Sequence, residues 1–194
     1  MSMARTFIAV EMPEPLQRAL DKISVNLRKQ MVDLPIRWVN THNIHLTLKF
    51  IGETDQAIIP RIAAAVADVA KRFPPFEISL TELGVFPNPN KPLVLWVGVQ
   101  APAPLAQLQQ GIESALAQWG IPVEERPFHP HLTLGRVRRE HRVANLKRIA
   151  EFMAAAKMEP SASARIDSVT LFRSDLKPGG SVYNPLSRSP LLGN

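Results

Sequence analysis

Two short segments of the chain alternate polar and apolar residues in the same way. The tetrapeptide His-Leu-Thr-Leu occurs at 45–48 and again at 131–134. Successive side chains of a β-strand point to opposite faces, so each copy places its histidine and threonine on one face and its two leucines on the other. The pattern therefore predicts two amphipathic strands, near 44–51 and 131–137.

Other segments carry apolar residues at helical spacing. In the first of them, Leu16, Leu20, Ile23 and Leu27 are three or four positions apart, which is typical of a helix with one apolar face. The same reasoning predicts helices over 14–31, 55–72, 103–119 and 143–156. Further strands are expected at 76–86, 164–174 and 181–187, the last of them after a turn that contains two glycines.

The order of these elements is duplicated. Pro13 and Pro102 each follow a short apolar strand and precede a helix. The two histidine motifs are separated along the chain by nearly the same number of residues as these two prolines. Each half reads β-α-β-α-β, which indicates an α+β or α/β protein and not a helix bundle. We predict one domain over 1–194, with approximate repeats 1–92 and 93–194 joined by a proline-rich turn.

Composition narrows the class of protein. The chain has 194 residues, a net charge of +6 and no cysteine, so it has no disulfide framework, thiolate nucleophile or cysteine zinc site. No apolar run is long enough for a membrane span and the first residues lack a signal-peptide pattern, so we expect a cytoplasmic protein that does not bind membranes. Basic residues concentrate at 136–148, which is compatible with a polyanionic partner or with a solvated surface.

Several sites could use these histidines. His129-Pro130-His131 has the spacing of a metal-binding pair, but no aspartate or glutamate lies beside either motif to complete a catalytic metal site. The sequence contains neither the Gly-x-Ser-x-Gly nucleophile elbow of a Ser-His-Asp site nor a phosphate-binding glycine loop. We interpret His42 and His141, in polar surroundings, as structural residues without a catalytic role, and His129 as a residue that fixes the approach loop or helps to orient His131.

Acid–base chemistry at phosphorus fits the repeated motif better. Imidazole titrates near neutrality, so one ring can take a proton from an attacking water while the other gives a proton to a leaving alkoxide. Thr47 and Thr133 could donate hydrogen bonds to the non-bridging oxygens. A cyclic phosphate on ribose is the expected substrate, and the residues alone leave open which histidine is the acid.

The chain resembles the RNA 2′,3′-cyclic phosphodiesterases, or 2′-5′ RNA ligases, of the 2H phosphoesterase superfamily. The likeness rests on the two His-x-Thr motifs in the contexts 43–52 and 126–136 and extends over nearly the whole chain. It implies two pseudo-symmetric lobes with antiparallel sheets around a central groove. It also implies hydrolysis to a 2′-phosphomonoester without metal or other cofactor, with His45 as general acid and His131 as general base.

The sequence also leads to expectations about the binding partner and about further residues of the site. The partner is an RNA with a 2′,3′-cyclic phosphate end, or a cyclic nucleotide, and we expect a monomer without an obligate protein partner. Arg126 is a candidate phosphate clamp or a surface arginine; Phe50, Phe128 and Arg136 are candidates for base stacking or RNA contact, although the phenylalanines could be core residues. Ligation as the main activity and a non-catalytic RNA-binding module are the alternative functions.

Overall fold

The structure is a computed structural model that describes residues 2–100, 102–140, 142–156, 158, 162–177 and 180–193. Within these ranges the chain forms four α-helices and nine strands. The helices are α1 (Glu14–Gln30), α2 (Ile59–Ala70), α3 (Ala103–Ala117) and α4 (Val143–Ala155). The strands are β1 (Met3–Glu11), β2 (Ile36–Trp38), β3 (His45–Asp55), β4 (Phe76–Asn88), β5 (Lys91–Gln100), β6 (His131–Val137), β7 (Ser163–Ile166), β8 (Ser168–Lys177) and β9 (Gly180–Pro190).

The strands form two antiparallel sheets, each covered by two helices. The first sheet has the order β3-β1-β8-β9 and packs against α2 and α3. The second sheet has the order β2-β6-β5-β4-β7 and packs against α1 and α4. The α+β fold with two lobes and antiparallel sheets is therefore confirmed.

Each sequence repeat contributes to both lobes. β4, from the first repeat, pairs with β5 in the second sheet, and β8, from the second repeat, pairs with β1 in the first sheet. The helices are exchanged as well. α1 follows β1 of the first sheet but packs on the second sheet, and α3 follows β5 of the second sheet but packs on the first. Periodicity along the chain does not reveal which distant strand a given strand will pair with, so the sequence did not predict this exchange.

The exchange gives the two sheets equivalent strands at equivalent places. β3, β1 and β8 of the first sheet correspond to β6, β5 and β4 of the second, with β2 as an additional edge strand beside β6. The two motif strands, β3 and β6, approach each other between the lobes with Cα atoms within 8 Å. The duplication thus brings the two histidine motifs into one region.

One element differs from the sequence prediction. The single strand predicted over 164–174 is wrong: the chain breaks at Asp167, and β7 and β8 join different sheets. Buried apolar residues on both sides of the break, Ile166 and Val169, made the segment look continuous. The proline-rich turn is the tip of the β4–β5 hairpin, where the Asn88 side chain accepts hydrogen bonds from the backbone N–H groups of Asn90 and Lys91 at 3.0 and 3.1 Å.

One continuous apolar core fills the space between sheets and helices, with fully buried side chains such as Ile8, Leu16, Leu46 and Leu132. A smaller apolar cluster of Phe7, Ala9 and Phe172, with Tyr183 against it, lies apart from this core on the first sheet. None of the described helices is long and apolar enough to cross a membrane.

Candidate active site

Both motif strands carry a β-bulge directly after the threonine. On β3, Thr47 lies opposite Ala9, and Lys49 lies opposite Ile8, the residue before Ala9. Two steps along β3 thus match one step along β1, so Leu48 is the extra residue. On β6, Thr133 lies opposite Trp96 and Gly135 opposite its neighbour, so Leu134 is the extra residue. The same irregularity thus occurs at the same point of both repeats.

The bulges change which side chains share the face of the histidines and threonines. Strict alternation would place Lys49 and Gly135 on that face, yet both are buried with the leucines beside them. A bulge re-aims the side chains that follow it. As a result, exposed Phe50 and exposed Arg136 return to the face of His45–Thr47 and His131–Thr133, one on each motif strand.

The two imidazoles have the same backbone anchor. Nδ1 of His45 lies 2.9 Å from the carbonyl oxygen of Asn43, and Nδ1 of His131 lies 2.7 Å from the carbonyl oxygen of His129. A carbonyl can only accept a hydrogen bond, so Nδ1 carries the hydrogen in both rings. Nε2 of each ring is left to accept or donate a proton, which is the state that acid–base chemistry requires.

Aromatic rings surround both histidines. The His45 ring stacks on Phe7 with centroids 4.7 Å apart and meets the edge of Tyr183 at 5.0 Å. The His131 ring meets Phe86 edge-on at 4.9 Å and lies 6.3 Å from Trp96. These contacts fix the ring planes and remove water from one side of each imidazole.

Burial dominates the electrostatics of the site. It lowers the pKa of His45 to about 4, against the opposing effect of its hydrogen bond to Asn43. Burial also lowers the pKa of His131; the hydrogen bond to the His129 carbonyl opposes this shift, and electrostatic interaction with the side chains of His129 and Arg136 lowers the pKa further. Both rings are therefore neutral at pH 7 when no anion is bound.

Thr47 and Thr133 lie two residues after the histidines, partly buried, on the same faces. Neither hydroxyl has a hydrogen-bond partner among the described residues. A hydroxyl without a partner is free to donate to an oxygen placed between the motif strands. The structure thus brings four of the candidate residues, two imidazoles and two hydroxyls, to the same pair of strands.

The remaining candidates have different surroundings. Phe50 is 64% exposed, with its ring 6.1 Å from that of Phe7. Phe128 is partly buried and packs against the main core, which favours a structural role. Arg126 is exposed, and its guanidinium binds Glu124 through two hydrogen bonds of 2.9 and 3.0 Å. An incoming phosphate would have to compete with that carboxylate for Arg126.

Sequence reasoning missed the residues that other strands bring to the histidines. Phe7 precedes Pro13 by six positions, as Trp96 precedes Pro102, and this common spacing is the signal that could have identified both rings. Glu11, at the end of β1, lies directly opposite His45 and accepts a hydrogen bond from Thr170 at 2.8 Å. No local pattern marks Glu11, because it reaches the motif only through strand pairing.

The other histidines have different surroundings. His129 holds His131 through its carbonyl group, in agreement with the orienting role expected for it. His42 is exposed in the turn before β3, and His141 lies outside the described residues. Among the described residues, no group of three or more histidine, aspartate or glutamate side chains is arranged to hold a metal ion.

Comparisons with known proteins identify the family of this chain. Residues 12–178 match the sequence model of the 2′-5′ RNA ligase superfamily. The RNA 2′,3′-cyclic phosphodiesterase of Methanothermobacter thermautotrophicus is 34% identical over 182 residues, which cover 94% of this chain and 96% of that protein. The enzyme of the same name from Thermotoga maritima is 30% identical, with 94% of this chain and 92% of that protein covered.

Solved structures show the same fold over almost the whole chain. The protein TT0787 of Thermus thermophilus superposes with a TM-score of 0.78 at 29% identity and covers 97% of this chain and 98% of that one. E. coli LigT complexed with 3′-AMP gives a TM-score of 0.77 at 26% identity, with 98% and 99% covered. The match to the family model spans well over half of the sequence, and this chain belongs to the 2′-5′ RNA ligase superfamily.

Proposed function

We propose that this protein hydrolyses the 2′,3′-cyclic phosphate of an RNA end or a nucleotide to a 2′-phosphomonoester, without a metal ion. One observation carries the proposal: two imidazoles on contacting strands each have Nδ1 bound to a backbone carbonyl, which leaves both Nε2 atoms for proton transfer. The relatives that carry the name RNA 2′,3′-cyclic phosphodiesterase support the same activity.

The reaction requires one proton to be taken and one to be given. The oxygen of a water molecule attacks phosphorus while Nε2 of His131 accepts its proton. The bond between phosphorus and the 3′ oxygen breaks, and the proton on Nε2 of His45 goes to that oxygen. Thr47 and Thr133 donate hydrogen bonds to the non-bridging oxygens, which gain charge in the transition state. Exchange with solvent then restores the two protonation states.

The roles of His45 as acid and His131 as base come from the family resemblance. Burial keeps His45 neutral in the free protein, so the acid must gain its proton when the substrate binds. A bound phosphate carries negative charge, and a negative charge beside an imidazole raises its pKa. Binding therefore favours protonation of one ring, and the substrate itself prepares the general acid.

The nucleotide beyond the phosphate has two further candidate contacts in the proposal. Phe50 offers an exposed ring on the face of His45, which suits stacking with a base. Arg136 offers a guanidinium at the equivalent position of β6. Arg126 is already bound to the carboxylate of Glu124, and Phe128 packs against the core. Both residues are therefore expected to contribute little to substrate binding.

Phosphorus NMR of a 2′,3′-cyclic mononucleotide, incubated with the protein in excess chelator, tests the proposal directly. A single new 2′-monophosphate signal is expected, with no product from His45→Ala or His131→Ala on the same time scale. Turnover that stops in chelator and returns with added divalent ion would contradict the metal-free reaction. Binding without turnover would instead indicate an RNA-binding module.

Ligation is the second candidate, because the matching family model is that of 2′-5′ RNA ligases. In that reaction an RNA 5′-hydroxyl replaces water as the attacking group, and the same two histidines exchange protons. Incubation of a cyclic-phosphate RNA with a 5′-hydroxyl RNA separates the two reactions by product length. Hydrolysis is expected to dominate, since water at its bulk concentration competes with the second RNA.

A further inference from the structure

Three polar side chains are buried between the first motif strand and α3: Lys49 of β3, and Gln109 and Glu113 of α3. Nζ of Lys49 and Oε2 of Glu113 are 2.6 Å apart, and Nε2 of Gln109 donates to Oε1 of Glu113 at 3.3 Å. A buried ion pair is often no more stabilising than apolar side chains of similar size. The stability of the fold alone therefore does not explain this buried polar cluster.

The equivalent positions of the other lobe carry no such cluster. The two repeats align on the prolines before α1 and α3, and this alignment places Leu20 and Ser24 of α1 at the positions of the glutamine and the glutamate. Both α1 residues are buried. On the second motif strand, Gly135 follows the bulge at the place of the lysine. Packing of a helix on a motif sheet thus also forms with a leucine, a serine and a glycine, so the fold does not require the polar cluster.

One contact of the buried polar cluster ends at the bulge of β3. Nε2 of Gln109 donates to the carbonyl oxygen of Leu48 at 3.4 Å. Leu48 is the extra residue of that bulge, and the extra residue of a bulge is left out of the regular ladder of backbone hydrogen bonds. Since Leu48 directly follows Thr47, Gln109 holds the backbone beside the threonine whose hydroxyl faces the groove.

The other contacts of the cluster end at the segment before the second motif. Residues 118–130, all within the described part of the chain, connect α3 with β6 without a helix or strand. Nζ of the lysine donates to the carbonyl oxygen of Pro122, and Oε2 of the glutamate accepts from the backbone N–H of Glu124. At the end of this segment, the carbonyl oxygen of His129 holds the ring of His131. The cluster thus anchors the segment that orients the second histidine.

We propose that Gln109 and Glu113 are positioning residues for the reaction. From one helix, they hold both the backbone beside Thr47 and the segment that orients His131, so the hydroxyl on one motif strand and the imidazole on the other keep a fixed separation. A displacement of about 1 Å between reacting groups can lower the rate by about 10²-fold. The inference rests on the proposed function for the roles of Thr47 and His131. Both positioning residues act from the core side of β3, without contact to the substrate.

Two variants remove the two kinds of contact, and an exposed glutamine of α3 supplies the control. Gln109→Leu introduces the residue type of the equivalent α1 position and removes the contact with the bulge. Lys49→Met/Glu113→Leu removes the anchors of the following segment and leaves no buried charge unpaired. Each variant should lower kcat on a 2′,3′-cyclic mononucleotide by roughly 10- to 100-fold, with KM within about twofold of the wild type. Gln107→Leu, on the exposed face of the same helix, should change neither constant.

A further double variant tests whether Gln109 acts through Thr47. Thr47→Val already removes the hydroxyl, so the addition of Gln109→Leu should lower kcat by no more than about twofold further. Thermal unfolding of each variant sets an assay temperature at which it is folded, and Gln109→Leu keeps the ion pair, so the test does not depend on the Lys49→Met/Glu113→Leu variant. Wild-type kcat in Gln109→Leu overturns the proposal, and so does full multiplication of its effect with that of Thr47→Val.

Amide NMR spectra without substrate separate this inference from the proposed activity. The backbone amide signal of Thr47 should shift in Gln109→Leu and that of His129 in Lys49→Met/Glu113→Leu, whereas Gln107→Leu should shift neither. If the wild type fails to open the cyclic phosphate but these shifts occur, the link through α3 stands and the hydrolase assignment fails. Turnover by the wild type with both signals unshifted in the variants supports the hydrolase and overturns the positioning role.

Discussion

Lys49 and Glu113 form an ion pair between β3 and α3 in which Nζ and Oε2 are 2.6 Å apart, and their side chains are only 4% and 8% exposed. Nζ of Lys49 also donates to the carbonyl oxygen of Pro122 at 2.5 Å, and Oε2 of Glu113 accepts from the backbone N–H of Glu124 at 3.2 Å. The pair thus joins the first motif strand to the loop that enters the second motif strand.

Lys49→Met should destabilise the protein by about 3–5 kcal/mol, because it leaves the Glu113 carboxylate buried without its partner. Guanidinium denaturation measures the loss. Lys71→Met is the matched control: its ion pair with Asp68 is exposed, and its removal should cost about 0.5 kcal/mol or less. Addition of Glu113→Gln to Lys49→Met should recover part of the loss, and wild-type stability of Lys49→Met alone would show that the pair is not a stabilising link.

His45→Ala and His131→Ala should each lower turnover of a cyclic nucleotide by roughly 10²–10⁴-fold, since a positioned acid or base contributes about that much. The double variant should lose much less than the product of the two single effects, because the proton transfers act in one displacement. Steady-state kinetics on 2′,3′-cyclic substrate measure all three. A single variant with near wild-type turnover would not be an acid or base in this reaction.

Thr47→Val and Thr133→Val keep the shape of the side chain and remove only the hydroxyl. Each should reduce kcat by on the order of 10²-fold, the usual effect of losing one donor to a developing charge. The melting temperature should stay close to that of the wild type, since neither hydroxyl has a partner among the described residues. If kcat is unchanged while stability falls, the threonines serve the strands and not the phosphate.

The pH dependence of kcat/KM should reflect the lowered pKa values of the free protein. One imidazole must be protonated and the other neutral; the pKa of His45 is about 4, and that of His131 is below its ordinary 6.5. kcat/KM should therefore be highest in a range that begins near pH 4 and ends below pH 6.5, and it should fall about tenfold per pH unit above that range. The limbs of kcat should lie at higher pH, since bound phosphate raises both values. A kcat/KM that stays constant up to pH 8 would contradict neutral, buried histidines in the free protein.

Phe50→Ala should weaken substrate binding if the exposed ring stacks on a base. Such stacking is worth about 1–3 kcal/mol, so KM should rise by about tenfold while kcat changes less. Trp119→Ala is the control, because Trp119 is also exposed and aromatic but lies after α3, where it contacts Arg61. A similar KM for Phe50→Ala and the wild type would leave Phe50 without a role in substrate binding.

Repeated local patterns were sufficient to predict most of the elements and the four central residues. His45, Thr47, His131 and Thr133 stand out because the same alternation occurs twice, and alternation along a strand requires no knowledge of distant contacts. Helical spacing predicted all four helices for the same reason, although their ends shifted by a few residues.

Long-range pairing decided what the local pattern could not. The exchange of β4 and β8 between lobes, the break at Asp167 and the approach of Glu11 to His45 all depend on which strands hydrogen-bond, and no periodicity carries that information. The bulges after Thr47 and Thr133 exist only in the register between two strands, and they turn Lys49 towards the core and Arg136 towards the face of His131 and Thr133. The low pKa of His45 likewise arises from burial by rings on other strands, because desolvation depends on what the fold packs around a side chain.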